Sequence, residues 1–162
     1  STGAPWNPLP FNAPYALTLK NWQVELHHAR EGWVKTTQME TPTDLKETEW
    51  KDFAGTVVYR TKFDVNSSNA GDTVLNLGKV YGISQVLVNG VDCGVKWYGN
   101  RIYDIADQLH TGSNEIEVRV VTVLGNYMHT LTDNATAQKF TAGRKEWPTL
   151  SLGILGPVTL YK

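Results

Sequence analysis

The chain has 162 residues, 41% of them hydrophobic, with 15 basic and 16 acidic side chains and a formal net charge of −1. That is one domain's length, enough to bury a core and apolar enough to exclude general disorder; the charges are too evenly mixed for a phosphate-binding surface, so no nucleic-acid partner is expected. No apolar run reaches the roughly 18 residues of a membrane span, and a lone cysteine, Cys93, excludes an intrachain disulfide and is expected to be a small buried side chain.

Ser1–Pro14 carries four of the seven prolines and reads as an extended arm lying on a single domain that spans 1–162. Ser1–Leu9 has no apolar signal-peptide core, and a start without Met reads as a piece of a longer protein. Trp22, Val24 and Leu26 alternate with Gln23 and Glu25 as a half-buried strand. Thr36–Lys51 is polar and contains Pro42, so a long loop with a short helical turn near Asp44–Thr48 is expected.

The next strand puts Val57, Tyr59, Thr61, Phe63 and Val65 on one face and Val58, Arg60, Lys62 and Asp64 on the other. Asn66–Asp72 is a turn, and Thr73–Leu77 a strand. Ile83–Val88 leads into Asn89-Gly90, a strong hairpin signal because both positions favour positive φ, and Val91–Val95 returns from it. Ile105–Leu109 is a short turn; in Glu115–Val123, Ile116, Val118 and Val120 point inward while Glu115, Glu117 and Arg119 point outward. Residues 125–147 form a long, irregular, polar and aromatic segment, a candidate binding loop. Leu150–Tyr161 closes the chain with a strand pair around Gly153 and Gly156-Pro157. Eight or nine strands with regular turn signals and no long helix predict an all-β antiparallel sandwich or jelly roll.

Five motifs follow one another in this frame: Val58-Tyr59-Arg60 with Phe63, Val86–Gly90 with Gly94, Trp97-Tyr98 ahead of Asp104-Ile105, Asn114–Val120, and Trp147 ahead of Gly153–Val158. In this order the chain resembles the galactose-binding-like jelly roll of family 2 glycoside hydrolases, the sugar-binding domain, and similar domains of bacterial α-L-rhamnosidases. The resemblance covers roughly Trp50 to Leu160. It implies a non-catalytic accessory domain of a larger glycoside hydrolase, with carbohydrate and the catalytic domain of the same polypeptide as partners, and a periplasmic or extracellular location. There is no room for a (β/α)₈ barrel, which takes about 200 residues or more. The Asn-Glu-Pro type segment of family 2 barrels is also absent, since Ile116 follows Asn114-Glu115. The resemblance therefore points to a glycosidase-associated domain and not to a glycosidase on its own.

Other chemistry is weakly signalled. Asp44, Glu47, Glu49 and Asp52 read as a solvated charge run, Glu115, Glu117 and Arg119 as an outward ladder, and Asp104 and Asp107 as caps on backbone amides. His27 and His28 point to opposite strand faces, and His110 and His129 lack metal-ligand spacing. No cofactor is expected; a structural Ca²⁺ is implied only by the resemblance, since such sandwiches often carry one. Asn66-Ser67-Ser68 and Asn134-Ala135-Thr136 are formal glycosylation sequons.

Six Trp and seven Tyr are many for one small domain. Aromatic rings pack against the C–H faces of sugars while Asn, Arg and acids bond their hydroxyl edges. Trp97, Tyr98, Asn100 and Arg101 offer that mixture, as do Asn126, Tyr127 and His129, and again Glu146 and Trp147. These are the candidate carbohydrate contacts. By position, Glu146 and Trp147 could reach toward a catalytic domain. Trp22, Trp33 and Trp50 are expected to be packing residues. The competing functions are a freestanding carbohydrate-binding module or lectin, a purely structural interdomain sandwich, and an enzyme in its own right.

Overall fold

The computed structural model describes residue 7 and residues 16–66, 71–122 and 150–162. Its strands are β1 (Leu17–Thr18), β2 (Trp22–His28), β3 (Val34–Met39), β4 (Gly55–Val65), β5 (Val74–Asn76), β6 (Lys79–Tyr81), β7 (Ile83–Val88), β8 (Val91–Lys96), β9 (Ile102–Asp104), β10 (Gly112–Val121), β11 (Gly153–Gly156) and β12 (Thr159–Tyr161). Six of them form one antiparallel sheet in the order β3-β2-β4-β10-β7-β8; four form a second, β1-β12-β5-β9; β11 and β6 pair separately.

The all-β sandwich follows from the alternation. Trp22, Val24 and Leu26 of β2, Val57, Tyr59, Phe63 and Val65 of β4, Ile116, Val118 and Val120 of β10, and Val86 and Val88 of β7 are all buried. They share one core with Leu75 of β5, Tyr103 of β9 and Leu160 of β12. The long β4–β10 pairing, from Val65 opposite Gly112 to Thr56 opposite Val121, forms its centre. Tyr59 is fully buried: its phenol oxygen accepts from Ile154 N–H at 3.2 Å, and burial pushes its pKa up. The phenol lies against Gly153, whose φ of 81° and missing Cβ are both required for that approach.

The two asparagines of the expected hairpin and strand motifs touch one another. Asn89 and Gly90 have φ of 51° and 82°, as a primed turn demands. The Asn89 amide donates to Asn114 Oδ1 at 2.9 Å and to Gln108 O at 2.8 Å, and its oxygen accepts from Glu115 N–H. Buried Asn114 donates to His110 O and Gly112 O and accepts from His110 N–H. One amide network therefore fixes the hairpin, the turn at 106–108 and the start of β10.

Several expectations need correction. The strands among the described residues outnumber the eight or nine expected, because β1, β6 and β9 are too short to show a period of two. β3 lies where the long loop was expected to begin; it is an edge strand with both faces largely solvated, so its sequence carries no apolar alternation. The expected helical turn is present as a 3₁₀ turn, Leu45–Glu47, capped by Asp44. Asp104 and Asp107 do not cap the second 3₁₀ turn, Ala106–Gln108: its N-cap is Ile105, with no side-chain bond. The last two strands do not pair with each other, since β11 joins β6 and β12 lies between β1 and β5. Cys93 is only half-buried, its thiol near Gln108 Oε1 at 3.7 Å, and burial raises its pKa. Of the expected arm, only Asn7 lies among the described residues; it is buried and bonds Thr61 Oγ1 and Lys62 O.

Candidate functional site

β8 ends at Lys96, and the chain crosses to β9 through Trp97-Tyr98-Gly99-Asn100. Trp97 is 69% exposed and Tyr98 86% exposed, and Asn100 is exposed beside them. Arg101 behaves in the opposite way. It is 5% exposed, and its guanidinium donates to Gly82 O at 2.8 Å, Ser84 Oγ at 3.0 Å, Trp97 O at 3.2 Å and Gly99 O at 3.2 Å. Two of these acceptors lie within the loop and two on the β6–β7 side, so one cation fastens the loop to the sheet. Ser84 Oγ also meets Tyr103 Oη at 2.7 Å, and that hydroxyl donates to Ser84 O. Two large, exposed aromatic side chains are thereby carried on a loop whose backbone is fastened to the sheet, an arrangement suited to stacking on an apolar ligand face with a reduced cost of ordering the loop. β8 is a sheet edge, and Val91 and Val95 on it are exposed as well. Of the other sequence candidates, Asn126, Tyr127, His129, Glu146 and Trp147 lie outside the described residues.

The outer face of the six-stranded sheet carries the expected charge ladder, extended across three strands. Glu117 on β10 pairs with Arg119 and with Arg60 on β4, both at 2.7 Å; Arg60 reaches Glu25 on β2 at 3.1 Å, and Glu25 meets His27 at 2.6 Å. The His27 hydrogen bond, with Arg60 behind it, holds the Glu25 carboxyl below its usual range against the opposing effect of burial. Glu25 and Glu117 are thus each held in ion pairs or hydrogen bonds with Arg60, Arg119 or His27, while Glu115 of the expected ladder is not part of this network. Asp44, from the acidic run, is a pin: it accepts from Lys46 N–H and Leu152 N–H, each at 3.0 Å. Burial pushes its carboxyl up, but these bonds, with Ser151, outweigh it and hold the pKa down. Among the described residues, no three His, Cys, Asp or Glu side chains gather where a metal could sit, and no helix is long and apolar enough to cross a membrane.

A second aromatic surface was not singled out from the sequence. The β2–β3 turn and the segment before β4 enclose a cleft of about 320 Å³ lined by His28, Trp33, Trp50 and Phe53, with Glu31, Lys35, Glu49 and Asp52 at its rim. Trp33 and Trp50 do pack on the core as expected, but each is only partly buried. The available signal was a Trp in a polar loop, Trp50, flanked by Glu49 and Asp52.

This architecture is an all-β jelly-roll sandwich, and it matches the fold of domains within solved glycoside hydrolases. It matches a rhamnosidase from Novosphingobium sp. PP1Y with a TM-score of 0.68 and 21% identity, over 94% of this chain and 16% of that one. An FMN-binding beta-glucuronidase from Faecalibacterium prausnitzii L2-6 matches with a TM-score of 0.62 and 18% identity, over 92% and 22% of the two chains. A beta-D-mannosidase from Dictyoglomus thermophilum matches with a TM-score of 0.61 and 18% identity, over 90% and 22%. By sequence, a protein of Formosa agariphila named provisionally as a beta-glucuronidase is 32% identical over 79 residues, 47% of this chain and 7% of the relative. No protein-family profile matches the chain. The chain thus spans under a quarter of the length of each of these proteins.

Proposed function

We propose that this chain is a non-catalytic accessory domain of a glycoside hydrolase that contacts carbohydrate through the Trp97-Tyr98 loop and positions glycan for a catalytic domain in the same polypeptide, in the periplasm or outside the cell. The observation that carries the reading is the pairing of two outward aromatic rings with a buried arginine that immobilises the loop bearing them. In this reading Trp97 and Tyr98 stack on a sugar face, Asn100 bonds a hydroxyl edge, and Arg101 positions the loop. Asn126, Tyr127, His129, Glu146 and Trp147 are proposed to add further contacts. The glycoside hydrolases of matching fold support the enzymatic setting.

A glycan array probed with the wild-type chain and with Trp97→Ala tests the proposal. Wild-type binding that Trp97→Ala weakens about tenfold or more, with its melting temperature unchanged, is the expected result. No hit for the wild type, or a Trp97→Ala protein that unfolds, contradicts it. A bracing role against a neighbouring domain is the alternative, favoured by the exposed Val91 and Val95 on the edge strand next to Trp97; it predicts no glycan binding.

A further inference from the structure

The cleft between the β2–β3 turn and the segment before β4 lies by β3, one edge of the six-stranded sheet, whereas the Trp97 loop leaves β8, the other edge. Its walls are fixed in advance. The His28 ring accepts from the N–H groups of Arg30 and Glu31, at 3.1 and 3.0 Å, which closes the turn, and His28 N–H bonds Trp33 O at 2.9 Å. On the other side Trp50 N–H donates to Thr48 Oγ1 and Phe53 N–H to Trp50 O, both at 3.0 Å. The Trp33 and Trp50 rings stand 6.0 Å apart, tilted by 41°, with His28 4.9 Å and Phe53 5.8 Å from Trp33.

Among the described residues, a lysine side chain lies over the two rings. The Lys35 ammonium lies 4.7 Å from the centroid of Trp33 and 5.5 Å from that of Trp50. Ring faces attract cations, and the attraction is weak enough at an exposed position for a ligand to displace the lysine. Glu31, Glu49 and Asp52, all exposed, line the same cleft, where Lys35 is the only lysine or arginine among the described lining residues; the Glu31 carboxylate also meets His28 Nε2 at 3.3 Å. An anionic ligand such as a uronate would meet these carboxylates first; a cation meets them and two π faces. A bare ammonium does not fill the space, because the cleft is at the low end of small-molecule sites, roughly 300–1,000 Å³, and its second ring offers a flat apolar surface.

We propose that this cleft is a second saccharide subsite that takes a pyranose bearing a protonated amine, a hexosamine residue of a glycan, and that Lys35 holds the amine's place until the ligand displaces it. The pyranose packs over the Trp33 and Trp50 rings from the side that Lys35 now covers, the amine replaces the Lys35 ammonium, and the carboxylates lining the cleft accept from the amine and neighbouring hydroxyls. The proposal does not depend on the Trp97 loop binding anything.

Calorimetric titration of the 162-residue chain with a glucosamine oligosaccharide and with its N-acetylated counterpart tests it. The amine form is expected to bind at least about tenfold more tightly, since acetylation removes the cation. Lys35→Ala is expected to tighten binding by about threefold by removing the internal competitor, Asp52→Asn and Trp50→Ala to weaken it, and Trp97→Ala to leave it unchanged. Lys35 and Asp52 are exposed, so the test stands even if Trp50→Ala does not fold. Equal or absent binding of the two saccharides overturns the proposal, as does weaker binding by Lys35→Ala. Loss of binding in Trp97→Ala overturns this subsite and leaves the loop reading standing. A lysine-rich peptide that binds with the same Lys35→Ala and Asp52→Asn responses while the saccharide does not would reassign the cleft to a protein partner.

Discussion

Arg101→Met separates a pinning role for this arginine from a ligand-binding one. Methionine fills similar apolar volume but removes the donor from Gly82 O and from the loop carbonyls, and leaves Ser84 Oγ with Tyr103 Oη alone of the two partners. Two of those bonds are short, to Gly82 O at 2.8 Å and Ser84 Oγ at 3.0 Å. At about 1.5–3 kcal/mol for each bond to a charged group, they contribute about 3–6 kcal/mol. The longer bonds to Trp97 O and Gly99 O add less, because these carbonyls lie in the exposed loop. Against this, removing a buried guanidinium removes the cost of keeping it from water. A net loss of about 3 kcal/mol remains, which lowers the melting temperature by about 6–12 °C in a domain of this size. Arg101→Lys keeps the charge but cannot span four acceptors, so an intermediate loss is expected. The assay is thermal unfolding followed by circular dichroism, with glycan binding measured well below the transition. A melting temperature within about 2 °C of wild type, combined with abolished glycan binding, would refute the reasoning and make Arg101 a ligand contact.

Further outcomes follow from the core and the charge pattern. Gly153→Ala forces a Cβ onto Tyr59 Oη at a φ of 81° and is expected to cost about 3 kcal/mol or more in urea unfolding. Tyr59→Phe costs about 1–2 kcal/mol, and the double variant is less destabilised than the sum, because the clash is partly relieved. Asn114→Ala removes the amide that joins hairpin, turn and β10 and is expected to cost about 2–4 kcal/mol by the same measurement. Glu25 and Asp44 have folded-state pKa values below their ordinary ones, so the stability they add is complete above the ordinary carboxylate pKa of about 4 and is lost as pH falls through the lowered values. Urea midpoints measured from pH 7 down to pH 2 should therefore decline on the acid side, and Asp44→Asn should flatten part of that decline.

The central strands were legible because they are long and one-sided. In β4 and β10 the alternating apolar residues Val57, Tyr59, Phe63 and Val65, and Ile116, Val118 and Val120, are buried, although Thr61 and Asn114 share those rows and Val58 and Lys62 are buried on the other face of β4. Asn89-Gly90 was legible from backbone preference alone. β3 was not, because main-chain pairing with β2 specifies an edge strand without requiring an apolar face. The asparagines of two separate motifs were read as turn and strand-start residues; only the fold brings Asn89 and Asn114 within 2.9 Å. The loop at 97–101 was recognisable as aromatic and polar, yet the division of labour within it was not, since exposure of Trp97 and burial of Arg101 depend on Gly82 and Ser84, which are distant in sequence. For the same reason Trp33 and Trp50 read only as packing residues: their shared cleft arises from a hairpin meeting a loop.

The most direct measurement is a ¹H–¹⁵N titration of the tryptophan indole signals with a panel of glycans, with Trp97 assigned by a Trp97→Phe variant. The account predicts a saturable shift of the Trp97 indole with at least one glycan, while the buried Trp22 signal stays in place. A Trp97 indole that no glycan moves, in a chain that remains folded, would contradict the claim that this loop meets carbohydrate.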